Sequence, residues 1–198
     1  MNRRVLIGSL GSAAGLAVLP SSVLASDDPE TFHRLFTLDG IEFDKPIMYF
    51  LAAFLGKDKS QTEDGYEMAE EQFIDTLVES LEDDEYSISE RDEFTVLIDR
   101  FDDNDVTSTG YSFTVSSNES GFDIYVKAIV ATRKRVLNVW ASVSLDDSKR
   151  DLIDLADEFM LFSATSASAL PRMMPDEDDM PSGYELTEEG EIEDGETL

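Results

Sequence analysis

Two short runs of oxygen donors invite a hard-cation reading: Asp102-Asp103-Asn104-Asp105 and Asp176-Glu177-Asp178-Asp179. Calcium and magnesium take clustered carboxylate and carbonyl oxygens, and the helix-flanked calcium loop sets them at fixed positions, with glycine at the sixth and a bidentate glutamate at the twelfth. Counted from Asp103, the sixth position is Ser108 and the twelfth is Thr114. That register fails, and a solvated hairpin turn explains the first run without an ion. The second run is no better spaced, so weak cation condensation there is favoured over a defined site.

His33 is the single histidine, and the chain has no cysteine. Thiol catalysis, thiolate zinc sites and disulfides are thereby excluded. A lone imidazole cannot anchor a transition metal, and a histidine-dependent triad would need it beside a serine. Residues 26–198 contain no Gly-x-Ser-x-Gly elbow, no phosphate-cradling glycine loop and no dinucleotide fingerprint. With 44 acidic residues some pair of carboxylates always exists, so a paired-carboxylate hydrolase stays open and no particular pair is nominated. Met173, Met174 and Met180 are soft ligands for Cu(I) or else plain tail residues. Arg133-Lys134-Arg135 is either a docking point for an anionic surface or the positive tip of a hairpin, and exposed ion pairs at such a tip are worth under about 1 kcal/mol each. Asn118-Glu119-Ser120 is a glycosylation sequon in a turn, which makes Asn118 the candidate modification site. The expectation is no catalytic residue, no metal site and no cofactor.

The leader is more informative than any of these. Arg3 and Arg4 precede uncharged residues from Val5 to Leu19, followed by Pro20 and the small-residue stretch ending at Ala25. A positive start, an apolar middle and a small-residue cleavage site make an export signal. A helix over Val5 to Leu19 would be about 22 Å long, short of a hydrocarbon core of roughly 30 Å. The paired arginines followed by Val5, Leu6 and Ile7 resemble the twin-arginine signal. An ordinary secretory signal and a retained N-terminal anchor are the alternatives, and cleavage after Ala25 is left open.

Loss of the leader would take the formal charge from −29 to −31. Such charge can mark a disordered chain, but 41% hydrophobic and 10% aromatic residues are enough to bury a core. In molar salt the screening length falls to about 3 Å, and repulsion among carboxylates is muted. The acids are interleaved with apolar residues along the whole chain, as in proteins of salt-loving archaea. On the paired arginines and the acidity, the chain resembles small twin-arginine-exported proteins of such organisms. That resemblance implies export in a folded state, with the twin-arginine translocase and signal peptidase as partners, and it assigns no activity. Nucleic acid is excluded as a partner by phosphate repulsion.

The elements follow from periodicity. Phe36 to Phe43 alternates around Asp39-Gly40 like a hairpin, Pro46 to Leu55 reads as a short apolar helix, and Thr62 to Glu82 has the spacing of an amphipathic helix. Phe94 to Phe101 fits either type, and its β-branched residues favour strand. Tyr111–Val115, Phe122–Val130 and Leu137–Val143 alternate as successive strands, and Ser148 to Phe162 has one apolar helical face. The expected fold is α+β, an antiparallel sheet of three to five strands with helices packed on one face. Residues 1–25 form the signal, 26–165 one domain, and 166–198 an acidic, disordered tail, unless Tyr184, Leu186 and Ile192 lay a short strand onto the domain. The expected role is an exported, salt-adapted, non-enzymatic binding domain, secreted or in the cell envelope, without a permanent membrane span after cleavage. A secreted hydrolase, or an accessory subunit engaged through Ile47 to Leu55 or the acidic tail, is the alternative.

Overall fold

The computed structural model describes residues 30–38, 47–54, 86–89, 92–94, 106–117, 123–133, 135–144, 150–159 and 166–191. Alternating apolar side chains put most of them into strands. These are β1 (Glu30–Leu38), β2 (Ile47–Phe54), β3 (Tyr86–Ile88), β4 (Asp92–Phe94), β5 (Val106–Ser117), β6 (Asp123–Arg133), β7 (Val136–Ser144) and β8 (Tyr184–Glu191). They form one sheet in the order β3-β5-β6-β7-β2-β1-β8, every pair antiparallel, with β4 also pairing β5. One helix, α1 (Arg150–Phe159), and a 3₁₀ segment (Ala167–Met173) complete the described structure.

The sheet is much larger than the α+β expectation of three to five strands with helices on one face, and the fold is mainly β. The main reason is β2. Ile47 to Phe54, expected as a helix, is a strand between β7 and β1. Its sequence IMYFLAAF is apolar on both sides because both faces of the sheet are buried there: Met48, Phe50 and Ala52 on one, Tyr49 and Ala53 on the other. A short, uninterrupted apolar run fits a central strand and a buried helix equally well by periodicity alone. β7 is the same kind of strand, buried from Val136 to Val143, though its composition made it legible. Strands β5, β6 and β7 and helix α1 lie where the alternation and helical spacing put them. The segment Thr62 to Glu82 lies outside the described residues.

One face can be called the methionine face. Phe36, Met48, Phe50, Ala52, Ile129 and Trp140 pack there against Leu152, Leu155 and Ala156 of α1 and against Leu170, Met173, Met174 and Met180. The 3₁₀ segment lies across β1 and β2, and α1 lies on β7. The other, the tyrosine face, buries Tyr49, Tyr111, Phe113, Val126, Val130 and Val139. Residues 167–191, expected in a disordered tail or, alternatively, in a short strand laid on through Tyr184, Leu186 and Ile192, supply the methionine cover and the edge strand β8, which carries Tyr184 and Leu186. Asp176 to Asp179, Glu185, Glu188 and Glu189 are exposed while Leu170, Met173, Met174 and Met180 are buried, so average composition hid a set of apolar anchors, each worth about 1.5–3 kcal/mol when fully buried.

The far edge is built from two short pieces, β3 and β4, on the same side of β5. Between them Ser89 keeps the ladder going: its N–H donates to the Thr114 carbonyl at 2.9 Å, and its Oγ accepts from the Thr114 N–H at 2.8 Å. Phe94, at the end of β4, lies over Gly110 of β5, where an added Cβ would clash with the Phe94 ring. An aromatic laid over a strand glycine shields backbone that would otherwise be wet. Gly110→Ala should therefore lower stability by about 1–3 kcal/mol in urea unfolding, and the same change in a Phe94→Ala background should cost clearly less.

Candidate functional site

Strand β1 presents His33 and Arg34 to opposite faces, as the two-residue period of a strand requires. Arg34 is on the methionine face. Its Nε donates to Glu189 Oε2 of β8 at 3.1 Å, and its Nη1 donates to the carbonyls of Met174 at 3.2 Å and Pro175 at 2.9 Å. One guanidinium thus fastens both β8 and the segment leading to it. His33 is on the tyrosine face and is buried, its ring stacked on that of Tyr49 with centroids 6.1 Å apart. Its Nε2 lies 3.4 Å from Glu188 Oε1, an ion-pair separation when the ring is protonated, yet neither ring nitrogen has a hydrogen-bond partner. Burial first, and then the Glu188 charge, pushes the Tyr49 phenol well above its ordinary range, so it stays a neutral hydroxyl at all ordinary pH.

Glu188 and Glu189, consecutive on a strand, reach their partners on opposite faces by ordinary alternation, and just before them β8 carries a bulge. Leu35 pairs with Glu188 and Phe36 with Leu186, so Thr187 is an extra residue, and its Oγ1 donates to the Leu35 carbonyl at 3.0 Å. Without the extra residue Leu186 and Glu188 would point the same way. With it, Leu186 joins the methionine face while Glu188 turns to His33.

A second polar group sits deeper. On β7, Asn138 and Trp140 are fully buried neighbours on the methionine face, and Asn138 Oδ1 and Trp140 Nε1 have no hydrogen-bond partner. Asn138 is flanked by Ala52 and Ala131 on the adjacent strands, Trp140 by Phe50 and Ile129. The Phe50 ring meets the indole edge-on, centroids 4.8 Å apart. Further along β6, Lys127 is also fully buried, between Ser112 and Ser142, with its Nζ 5.6 Å from the centroid of the Tyr125 ring.

The residues singled out from sequence fall elsewhere or lie outside the described residues. Arg3, Arg4, Ala25, Asn118, Asp102 to Asp105 and Lys134 are outside them, while Arg135 is exposed at the β6–β7 turn. Asp176 to Asp179 form an exposed turn whose own amides occupy its carboxylates: the Asp178 N–H donates to Asp176 Oδ1 and the Asp176 N–H to Asp179 Oδ2, both at 3.0 Å. Met173, Met174 and Met180 are core side chains. The Arg34 clamp, Asn138 and Trp140 were not anticipated. A strand otherwise apolar that carries a single asparagine, as VLNVWASV does, was the available signal.

No protein-family model and no curated protein matches this chain. It is similar to a solved structure of PA94 from Pseudomonas aeruginosa, a protein of unknown function, at 11% identity and a TM-score of 0.30, over 72% of this chain and 88% of that one. No role is carried over from it. Among the described residues, no helix is long and apolar enough to cross a membrane.

Arg34→Met should destabilise the protein by about 3 kcal/mol, since it strands two part-buried carbonyls and a carboxylate. Hydrogen exchange should show the loss first in the amides of Tyr184 to Glu191. Glu189→Gln should cost under about 1 kcal/mol, because that partner is half exposed.

Proposed function

We propose that this protein is an exported, salt-adapted domain that acts in the cell envelope or outside the cell by binding rather than by catalysis. The observation that carries the reading is the separation of charge from core. Acidic side chains such as Asp92, Asp123, Asp154, Glu158 and Glu185 are exposed, whereas two of the few described basic side chains are withdrawn: Lys127 is fully buried, and Arg34 is mostly so. Among the described residues the exposed charge is therefore predominantly acidic, which suits a solvent that screens charge over a few ångströms.

The leader supports the routing, with Arg3 and Arg4 engaging the twin-arginine translocase and a signal peptidase acting after Ala25. The topology fits a route that takes folded cargo. β8 pairs with β1 from the opposite end of the domain, so the sheet is complete only after the chain has been made in full. A sheet completed by pairing residues so far apart in sequence is rich in non-local contacts and is expected to fold slowly, which suits folding before export.

Two experiments test this reading. Changing Arg3 and Arg4 together to lysine should hold the protein in the cytoplasm with its leader uncut; unchanged secretion would overturn the routing. The chain from residue 26 onward should show a melting temperature that climbs steeply between dilute buffer and molar KCl. A transition independent of salt would overturn the solvent adaptation.

A further inference from the structure

The methionine face holds two polar atoms that the fold itself does not use. Trp140 Nε1 is a donor and Asn138 Oδ1 an acceptor, both fully buried, two residues apart on the same side of β7. Leaving either unpaired is a cost that most native interiors avoid. The side chains that flank Asn138 on the neighbouring strands are only alanines, Ala52 and Ala131, and the indole stands two positions along its own strand. Overhead, the cover over β1 and β2 is the 3₁₀ segment with Leu170, Met173 and Met174. Methionine, unbranched and with three rotatable bonds, repacks around foreign shapes more readily than any other apolar residue.

We infer that this part of the methionine face is a cradle for a small, neutral, largely apolar molecule bearing an amide, closed in the free protein by its own methionine cover. The amide carbonyl accepts from Trp140 Nε1, the amide N–H donates to Asn138 Oδ1, and the apolar body lies over Ala52 and Ala131 in place of the methionine side chains. A neutral ligand is favoured because the two described cations on this face have partners of their own: Arg34 gives its Nε and Nη1 to Glu189 and to the carbonyls of Met174 and Pro175, and Lys127, beside the site on β6, is likewise engaged. The Arg34 bonds tie down one end of the cover, so the cradle opens by rearrangement of side chains and not by loss of the segment.

The inference rests on the reading of this protein as a binding domain, and the test separates the two. Three seven-membered rings serve as probes in molar KCl: ε-caprolactam with donor and acceptor, cycloheptanone with the acceptor alone, and cycloheptane with neither. Trp140 is the sole tryptophan, so its fluorescence reports directly on the cradle, and the melting temperature gives an independent readout. The expected order of affinity is lactam, ketone, hydrocarbon, with about tenfold between first and last, the worth of one to two hydrogen bonds made in a dry site. Asn138→Leu, which keeps the side chain's shape, should make lactam and ketone bind alike while the ketone's own affinity stays unchanged. Equal binding of all three rings, a lactam preference that survives Asn138→Leu, or no saturable response in the wild-type protein would each overturn the cradle. The last result would mean that internal water satisfies the pair. A protein partner captured on the outer surface of a chain that ignores the lactam would leave the binding role standing and remove only this site.

Discussion

A single guanidinium sets the terms for this fold. Arg34 is planted in β1 yet gives its hydrogen bonds to the turn at Met174-Pro175 and to Glu189, so the C-terminal segment is registered against the sheet at two points by one rigid, planar group. Arginine suits the task because its donors lie in a fixed, planar fork. Once those points are fixed, Leu170, Met173, Met174 and Met180 have nowhere to go but onto the face that holds Phe50 and Trp140. The methionine cover, the edge strand and the burial of the indole are consequences of where that fork closes.

The acidic shell is the counterpart of this apolar interior. Among the described residues the carboxylates are mostly outside while Lys127 and Arg34 are drawn in, so these two cations do little to offset long-range repulsion at the surface of the compact state. Burial on both faces of one sheet supplies the opposing force, and dissolved ions reduce the repulsion itself. The acidic turn at Asp176 to Asp179 shows how such residues are made tolerable locally: two carboxylates accept backbone N–H groups of the same turn, and their charge helps close it.

Much of the sheet was legible in the sequence, and the failures have definite causes. β5, β6 and β7 announce themselves because β-branched and aromatic residues recur in them at every second position, and α1 because Leu152, Leu155 and Ala156 share one helical face. β2 was misread because IMYFLAAF, apolar at every position, has lost the very alternation that distinguishes a strand. The last element was misjudged for the opposite reason. Its carboxylates dominate any average over residues 166–198, while the few residues that anchor it, Leu170, Met173, Met174 and Met180, are spaced too irregularly to show a period. Arg34 and Glu189 are 155 positions apart, and no local pattern can pair residues across such a distance. Of the candidate chemistry, the sequence supplied His33 and the methionines as isolated residues; only the fold reveals that the imidazole meets Glu188 and Tyr49 and that the methionines share one core cluster with Trp140.

The extra residue in β8 has a meaning beyond local geometry. Ordinary alternation already sends Glu188 and Glu189 to opposite sides, where His33 and Arg34 answer them. What Thr187 adds is a change of phase: Leu186 stays beside Phe36 on the methionine face, although in a regular strand it would share a face with Glu188. One strand thereby reads two alphabets, charge on one side of the offset and oil on the other, and an acidic competitor for the same edge that lacked the offset could match the charges or the apolar face but not both.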